Sequence, residues 1–363
     1  MSKQTIKKIV FVLTVALMLT ALAGCGGSQT DVTEKDELIV ATAYDAKSLD
    51  PHAVNEVAAS NVMLQIYNTL VVLDENGEVV PSLAESFEQV DDVTYKFTIR
   101  KGVKFHNGDE VTVEDAVFSL QRAATSPAVA NLFGDIDPDS FEIIDDTSFT
   151  FQLKGANTGF LYNLVHPGAS ILSKKAVEEA GDNYAMNPVG TGPFKFVSWT
   201  KDESIILEKN EDYWKEGLPK VDKVIFEVIP DNAARLIALR SGDIDIMDGL
   251  NPDDAAGVEA DDDLILYTRA ENNFGYIGFN VQKEPLDNEL LRQAISHAID
   301  REAIVDALYA GYGTVAKNPL PPSYLGYNDD VEGYQYDVEK AKELLAEAGY
   351  ADGLEIDLWT MPV

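Results

Sequence analysis

"DDVTYKFTIRKGVKFHNGDEVTVEDAVFSLQRAAT", residues 91–125, changes its hydrophobic period part-way along. In the first half Tyr95, Phe97 and Ile99 alternate with polar residues, the period of two that a half-buried strand requires. In the second half Val113, Ala116, Val117 and Leu120 recur at helical spacing. Thr112, followed three residues later by Asp115, supplies a capping box where the helix should begin. Residues 145–155, "DDTSFTFQLKG", echo the first half: an acidic turn, alternating Phe149, Phe151 and Leu153, then a lysine and a glycine. Two like strands around one helix predict a compact α+β unit over 80–155.

Outward from this unit, strands and helices alternate. Residues 38–44, "LIVATAY", read as a buried first strand, 48–52 as a loop, and 58–70 as a helix before a hairpin turn at 74–78. Residues 187–199 predict a turn and a strand, and 223–230 a near-continuous apolar strand. A helix capped by Asp231 and stopped by Gly242 follows, then another strand. Two amphipathic helices come next. The first covers 288–309 with Leu291, Ala294, Ile295, Ala298 and Ile299 inward; the second covers 337–348, ending at Gly349. Residues 317–330 form a Pro- and Gly-punctuated loop, and 354–363 a last strand. The class is α/β.

The chain has 363 residues and is strongly acidic, with 28 Lys+Arg against 62 Asp+Glu and a net charge of −34. Such a body is repelled by nucleic acid and by anionic lipid. Its acids are dispersed, as on solvated faces, rather than gathered in a tail. Three of the cations, Lys3, Lys7 and Lys8, precede an apolar run over 9–22, after which Ala23 and Gly24 lead into Cys25, the single cysteine. That is the pattern of a secretory signal over 1–24, too short and wrongly flanked for a membrane span. The ending Leu22, Ala23, Gly24, Cys25 resembles the bacterial lipobox, whose cysteine receives a diacylglycerol thioether and becomes the first residue of the mature protein. The competing readings are a plain signal peptide with a stray thiol, and a nucleophile that would lack a base beside it. Residues 25–37, rich in Gly, Ser, Thr and charge, read as a tether.

Catalytic and metal motifs fail on their chemistry. Asp135, Asp137, Asp139 and Asp146 have calcium-loop spacing, but Ser140 replaces the required glycine and a strand follows in place of a helix. "GTGPF" at 190–194 lacks the lysine and the helix of a phosphate loop, and Pro193 has no N–H to offer. It reads as a tight turn. His52, His106, His166 and His297 are isolated in sequence, and no nucleophile elbow occurs. Nothing points to an enzyme, a metal or a cofactor.

Three stretches, 102–123, "NPVGTGPFKF" at 187–196 and "PLDNELLRQAISHAIDREAIVDALYAGYG" at 285–313, are similar to those of the extracellular solute-binding proteins that serve ABC importers of peptides and nickel. Residues 316–349 and 356–363 look closest to the dipeptide-binding branch, and the likeness covers essentially all of 38–363. The resemblance implies a periplasmic-binding-protein-like type II clamshell with an inserted α+β domain. The first lobe would take 38–66 and 188–270, the insert 67–187, and an incomplete second lobe 271–363, entered by 272–280 as a crossing strand. It implies a monomer working outside the cytoplasmic membrane with a permease and its ATPase subunits. Its two lobes would close on the ends and main chain common to short peptides.

By position the resemblance nominates Asn55, Glu56 and Val57 as ligand-touching residues, with an ordinary surface loop as the competing reading. Phe274, Gly275 and Tyr276 are nominated from the crossing strand, against core or hinge packing. In such relatives the arginine and aspartate that pair with the peptide termini fall past the position of Val363. The form ending there is therefore expected to be truncated and to bind peptides weakly or not at all. The same scaffold could take a nickel chelate, haem or glutathione, and a surface lipoprotein acting as adhesin or chaperone is the reading from another class.

In a bacterial host, metabolic labelling with a palmitate analogue is expected to mark the chain, and Cys25→Ala to abolish the mark. Equal labelling of both forms would overturn the lipid anchor.

Overall fold

The computed structural model describes residues 36–269, 274–322, 324 and 326–360. Cys25 and the signal segment lie outside the described residues. In chain order the first elements are β1 (Glu37–Thr42), α1 (Val57–Ile66), β2 (Val71–Leu73), β3 (Val79–Pro81), β4 (Ala84–Gln89), β5 (Thr94–Ile99), α2 (Val113–Thr125) and α3 (Ala130–Phe133). There follow β6 (Glu142–Ile143), β7 (Ser148–Gln152), α4 (Phe160–Asn163), α5 (Lys174–Ala180), β8 (Phe194–Thr200), β9 (Ser204–Lys209) and β10 (Lys223–Val228). The last are α6 (Asn232–Ser241), β11 (Ile246–Met247), α7 (Pro252–Glu259), α8 (Glu289–Ala298), α9 (Arg301–Tyr309) and α10 (Val338–Glu347).

Five strands form a mixed sheet in the order β11-β1-β10-β9-β8. The apolar β1 is parallel to both neighbours, pairing Glu37 with Lys223 through Thr42 with Val228 on one side and Val40 with Ile246 on the other. Helix α1 buries Ala59, Val62, Met63 and Ile66 in a core with Ile205, Leu207, Val224 and Phe226. Each large aliphatic so buried contributes about 1.5–3 kcal/mol. Leu172, Ala176 and Tyr184, from the range expected to be an insert, join this same core. The expected tether also ends early, because Asp36 accepts from the amides of Asp222 and Lys223 and Glu37 opens β1.

The second sheet is antiparallel, in the order β4-β5-β7-β6. The two echoing sequences are its adjacent strands, β5 and β7, in a register that sets Phe97 opposite Phe149 and Tyr95 opposite Phe151. Their rings stack at 5.8 and 5.7 Å between centroids, adding an aromatic term to the area they bury. The core beneath them receives Val113, Ala116, Leu120 and Ala123 of α2. The capping box is present: the Thr112 hydroxyl accepts from the Asp115 amide at 3.2 Å, and the Asp115 carboxylate accepts from the Thr112 amide at 3.0 Å.

"GTGPF" owes its glycines to close approach. A Cβ on Gly190 would lie 2.1 Å from the Ile66 carbonyl oxygen, and one on Gly192 would lie 2.4 Å from that of Gln65. The Gly192 amide donates to Ile66 at 2.8 Å and the Gly190 carbonyl accepts from the His106 amide at 2.8 Å. The loop is a seam between α1 and the strand turn that holds His106.

Several expectations need correction. The helix expected over 58–70 ends at Ile66, where Tyr67 turns extended and sends its hydroxyl to the Leu49 carbonyl. The single helix expected over 288–309 is two, α8 and α9, because Ile299 is extended and Asp300 caps a new helix through the Ala303 amide at 3.0 Å. An aspartate that can accept from the backbone competes with helix continuation. Of the expected inward face, Leu291 and Ala294 are buried against Ala341 and Leu344 of α10, whereas Ala298 is exposed. Helix α9 buries none of its side chains, and Leu308 is 64% exposed. The strands expected at 272–280 and 354–363 are absent from 274–280 and 354–360, which find no ladder partner among the described residues. Residues 272–273 and 361–363 lie outside them.

Gly192→Ala is expected to lower the unfolding free energy by about 1–3 kcal/mol, since backbone rather than a flexible side chain must give way. Gly155→Ala, where a Cβ meets nothing within 4 Å, is the control. Equal thermal midpoints for the two variants would overturn the close-approach account.

Candidate functional site

Strand β1, parallel to partners on both sides, makes a switch point. In open α/β sheets the carboxyl ends of strands at such a point form the crevice where ligands sit. Here that edge is built from the segments leaving β1, β10 and β11, and its backbone is tied down. Arg235 of α6, only 3% exposed, donates to the carbonyls of Ile229 at 2.6 Å, Pro230 at 2.9 Å and Gly249 at 3.0 Å. Asn232 accepts from the Asn251 amide at 3.1 Å, which fastens the β10 exit to the β11 exit. Asp45 accepts from the Trp199 indole at 3.0 Å and the Asp202 amide at 2.8 Å. A cavity of about 10 Å³ lies beneath, lined by Thr42, Tyr44, Asp45, Ala58, Val62 and Val228 among others. It has room for about one water, so anything larger must rest on the rim. Tyr44 stands on that rim, 78% exposed.

The nominated residues Asn55, Glu56 and Val57 sit on the same edge, at the entry to α1. Asn55 is exposed and Val57 is 62% exposed. Glu56 is half-buried, and its carboxylate accepts from the Lys47 amide at 2.6 Å and pairs with the Lys47 ammonium at 3.1 Å. Glu56 therefore closes the neck of the loop over 47–56 before it meets any ligand.

The floor of that loop is Asp50. Its two oxygens accept from Arg122 of α2 at 2.7 and 2.6 Å, and one also takes the His52 amide at 3.0 Å. Burial pushes the Asp50 carboxyl up, but the bonds and charge of Arg122 and the His52 amide outweigh it and hold the group below its ordinary value. The same fork raises Arg122. The His52 carbonyl accepts from the Ser126 hydroxyl at 2.5 Å, while its buried ring nitrogens have no hydrogen-bond partner among the described residues. Tyr67 bonds to Tyr184 at 3.3 Å alongside. Sequence reasoning missed Asp50, Arg122 and Tyr44. The Asp50–Arg122 pair spans 72 positions, and only the arginine's place in a helix with a buried face hinted at a buried partner.

Phe274, Gly275 and Tyr276 lie in a segment without regular structure. Phe274 packs its ring on Tyr276 at 5.4 Å, Tyr276 is otherwise open to solvent, and a Cβ on Gly275 would meet nothing. No hydrogen bond or ring contact among the described residues joins them to Asn55, Glu56 or Val57, and the structure does not bring the two groups into one site. Among the described residues there is no grouping of three or more His, Cys, Asp or Glu side chains suited to a metal. His106 is structural: its ring bonds the Gly192 carbonyl at 3.0 Å.

A buried histidine, His52, and a half-buried one, His106, make the fold sensitive to acid. Burial, with the Arg122 cation beside it, pushes His52 down to about 3, and burial pushes His106 down to about 4 despite its bond to Gly192. Both lie below the ordinary 6.5, so the unfolded chain takes up protons first. Stability is complete above the unfolded value and is lost as pH falls from 6.5 toward 4, by up to about 1.4 kcal/mol per pH unit per histidine. Urea unfolding across that window should show the fall, and His106→Gln should lessen it while the share of His52 remains. A midpoint constant with pH would contradict the burial of both rings.

Residues 78–362 match the family model described as bacterial extracellular solute-binding proteins, family 5 Middle. Heme-binding protein A of Haemophilus influenzae is 36% identical, over 98% of this chain and 72% of that protein. The dipeptide-binding protein of Escherichia coli is 38% identical, over 84% of this chain and 61% of that protein. Among solved structures, the periplasmic binding protein DppA of Helicobacter pylori in complex with the peptide STSA superposes with a TM-score of 0.75 at 35% identity, covering 87% of this chain and 67% of that one. The chain thus spans between three-fifths and three-quarters of the length of these relatives. The neighbours are α/β periplasmic binding proteins of type II, solute binders and not enzymes. With the matched stretch covering most of its length, the chain belongs to the family 5 bacterial extracellular solute-binding proteins.

Proposed function

We propose that the chain captures short peptides outside the cytoplasmic membrane, held there by lipid on Cys25, and hands them to an ABC permease driven by its ATPase. The single observation that carries the reading is the switch-point rim, with its backbone locked and Asn55, Val57 and Tyr44 presented to solvent, in a chain whose relatives include a dipeptide-binding protein. Peptides share an ammonium, a carboxylate and amide groups. A rim that must accept many side chains gains orientation from those shared polar ends through charge-assisted hydrogen bonds and leaves side chains in wet, roomy surroundings. On this reading Asn55, Glu56 and Val57 form the first-lobe contact. On the same reading 38–66 with 188–270 form one lobe, 67–187 the insert and 271–363 part of the other, with Phe274, Gly275 and Tyr276 on the crossing segment, and the chain acts as a monomer.

A second reading, haem, is favoured by one observation: the relative named a heme-binding protein covers 98% of the chain. Tyr44, open to solvent on the rim, is of a residue type that ligates haem iron.

Titration calorimetry with a panel of free dipeptides, repeated with the same peptides acetylated and amidated at their ends, separates the readings. Weak heat with the free forms, lost on blocking, is the expected result. A Soret shift with haemin and no heat with any peptide would overturn it.

A further inference from the structure

The loop over 47–56 is fastened at two places of unequal strength. At its neck, Glu56 meets Lys47, whose side chain is 80% exposed, and an ion pair in that setting is weak and screened by salt. At its floor Asp50, its side chain 9% exposed, meets the guanidinium of Arg122 through two near-parallel bonds. A fork of that kind fixes orientation as well as distance. One turn further along, Ser126, the residue that ends α2, donates to the His52 carbonyl. The last turn of α2 therefore grips the loop at two successive points.

Helix α2 is not part of the sheet that carries the rim. Its apolar face, Val113, Ala116, Leu120 and Ala123, belongs to the core of the four-stranded sheet, whereas Leu49 and the following helix α1 belong to the core of the five-stranded one. The loop is thus held from across the boundary between two cores. We propose that Arg122 is a positioning residue for the rim, setting through Asp50 where Asn55, Glu56 and Val57 stand. This rests on the assignment of those three residues to the ligand rim. It gives the four-stranded unit a role: a brace that reaches the rim without touching ligand. Lysine cannot replace the arginine, because an ammonium is a point charge without the fork.

The test uses the full chain and its Arg122→Lys and Arg122→Gln variants, followed by amide NMR and hydrogen exchange without ligand and by dipeptide calorimetry. In both variants the signals of residues 52–57 should shift, and the His52 and Ala53 amides, bonded to the carboxylate and carbonyl of Asp50, should exchange about tenfold faster, the loss of one charge-assisted bond. Amides of residues 116–120 should keep their wild-type rates. Dipeptide affinity should fall about tenfold at temperatures where the far-ultraviolet spectrum is unchanged. A variant that melts earlier yet leaves the signals and rates of 52–57 as in the wild type would overturn the proposal, since a pair that only holds the fold together gives that result. Unchanged affinity in a variant whose loop signals have moved would overturn it too. Should Arg122→Gln fail to fold, Arg122→Lys, which keeps the stem and the charge, decides by the same readings. A wild-type chain that shifts the Soret band of haemin and takes up no peptide would instead defeat the functional reading, with the ligand-free exchange rates still deciding the role of Arg122.

Discussion

Strand β1 is hydrogen-bonded on both flanks by parallel strands that arrive only after residue 222. Residues 43–193 leave the sheet altogether before β8 and β9 bring the chain back to it. Closing a chain excursion of that length costs about 5 kcal/mol of loop entropy, and β1 alone cannot offset it. The excursion is therefore self-supporting: the stacked Phe97, Phe149, Tyr95 and Phe151 and the face of α2 give it a core of its own. The same double parallel pairing aligns three carboxyl ends on one edge, which is why the rim exists at all.

Two cores built this way need a fixed relation, and apolar contact is too forgiving to specify it alone. The junctions are instead polar or sterically narrow. Gly190 and Gly192 lie so close to the last turn of α1 that no side chain fits. Asp50 meets Arg122. Each such junction carries a large penalty when its partner is displaced and a modest gain when satisfied. That asymmetry makes one packing arrangement far better than its near neighbours.

Much of the fold was legible because its signals are local. Alternation marked β5 and β7, the Thr112–Asp115 box marked the start of α2, and Asp231 with Gly242 bounded α6. The break at Ile299 was equally local but was overridden by an apolar period that runs through it; the capping power of Asp300 was the signal to weigh. The glycines of 190–194 were visible, yet their reason lies in Ile66, more than a hundred residues away. For the site the position is worse. Nothing in the spacing of Asp50, Arg122 and Arg235 tells a reader that their partners are in other loops, and the nominated Asn55, Glu56 and Val57 came from likeness to relatives, not from their chemistry.

The charge of −34 bears on why a rigid rim matters. On the peptide reading, a dipeptide with uncharged side chains is at neutral pH a zwitterion with no net charge, so the long-range field that steers ions does little for it. Its two ends sit a few ångströms apart and feel opposite forces in any slowly varying potential. Recognition of such a ligand has to come from groups held at fixed separation, where the field changes over the length of the ligand itself. Ordering a floppy loop on contact would consume the little binding energy that two termini and an amide supply. The bonds of Arg235 to three carbonyls on one side of the rim, and of Arg122 to Asp50 on the other, spend that ordering cost at folding, before any ligand arrives. The acidity acts elsewhere. It keeps the body off anionic lipid, so a covalent anchor rather than surface attraction is what would hold a binder of this charge beside its membrane.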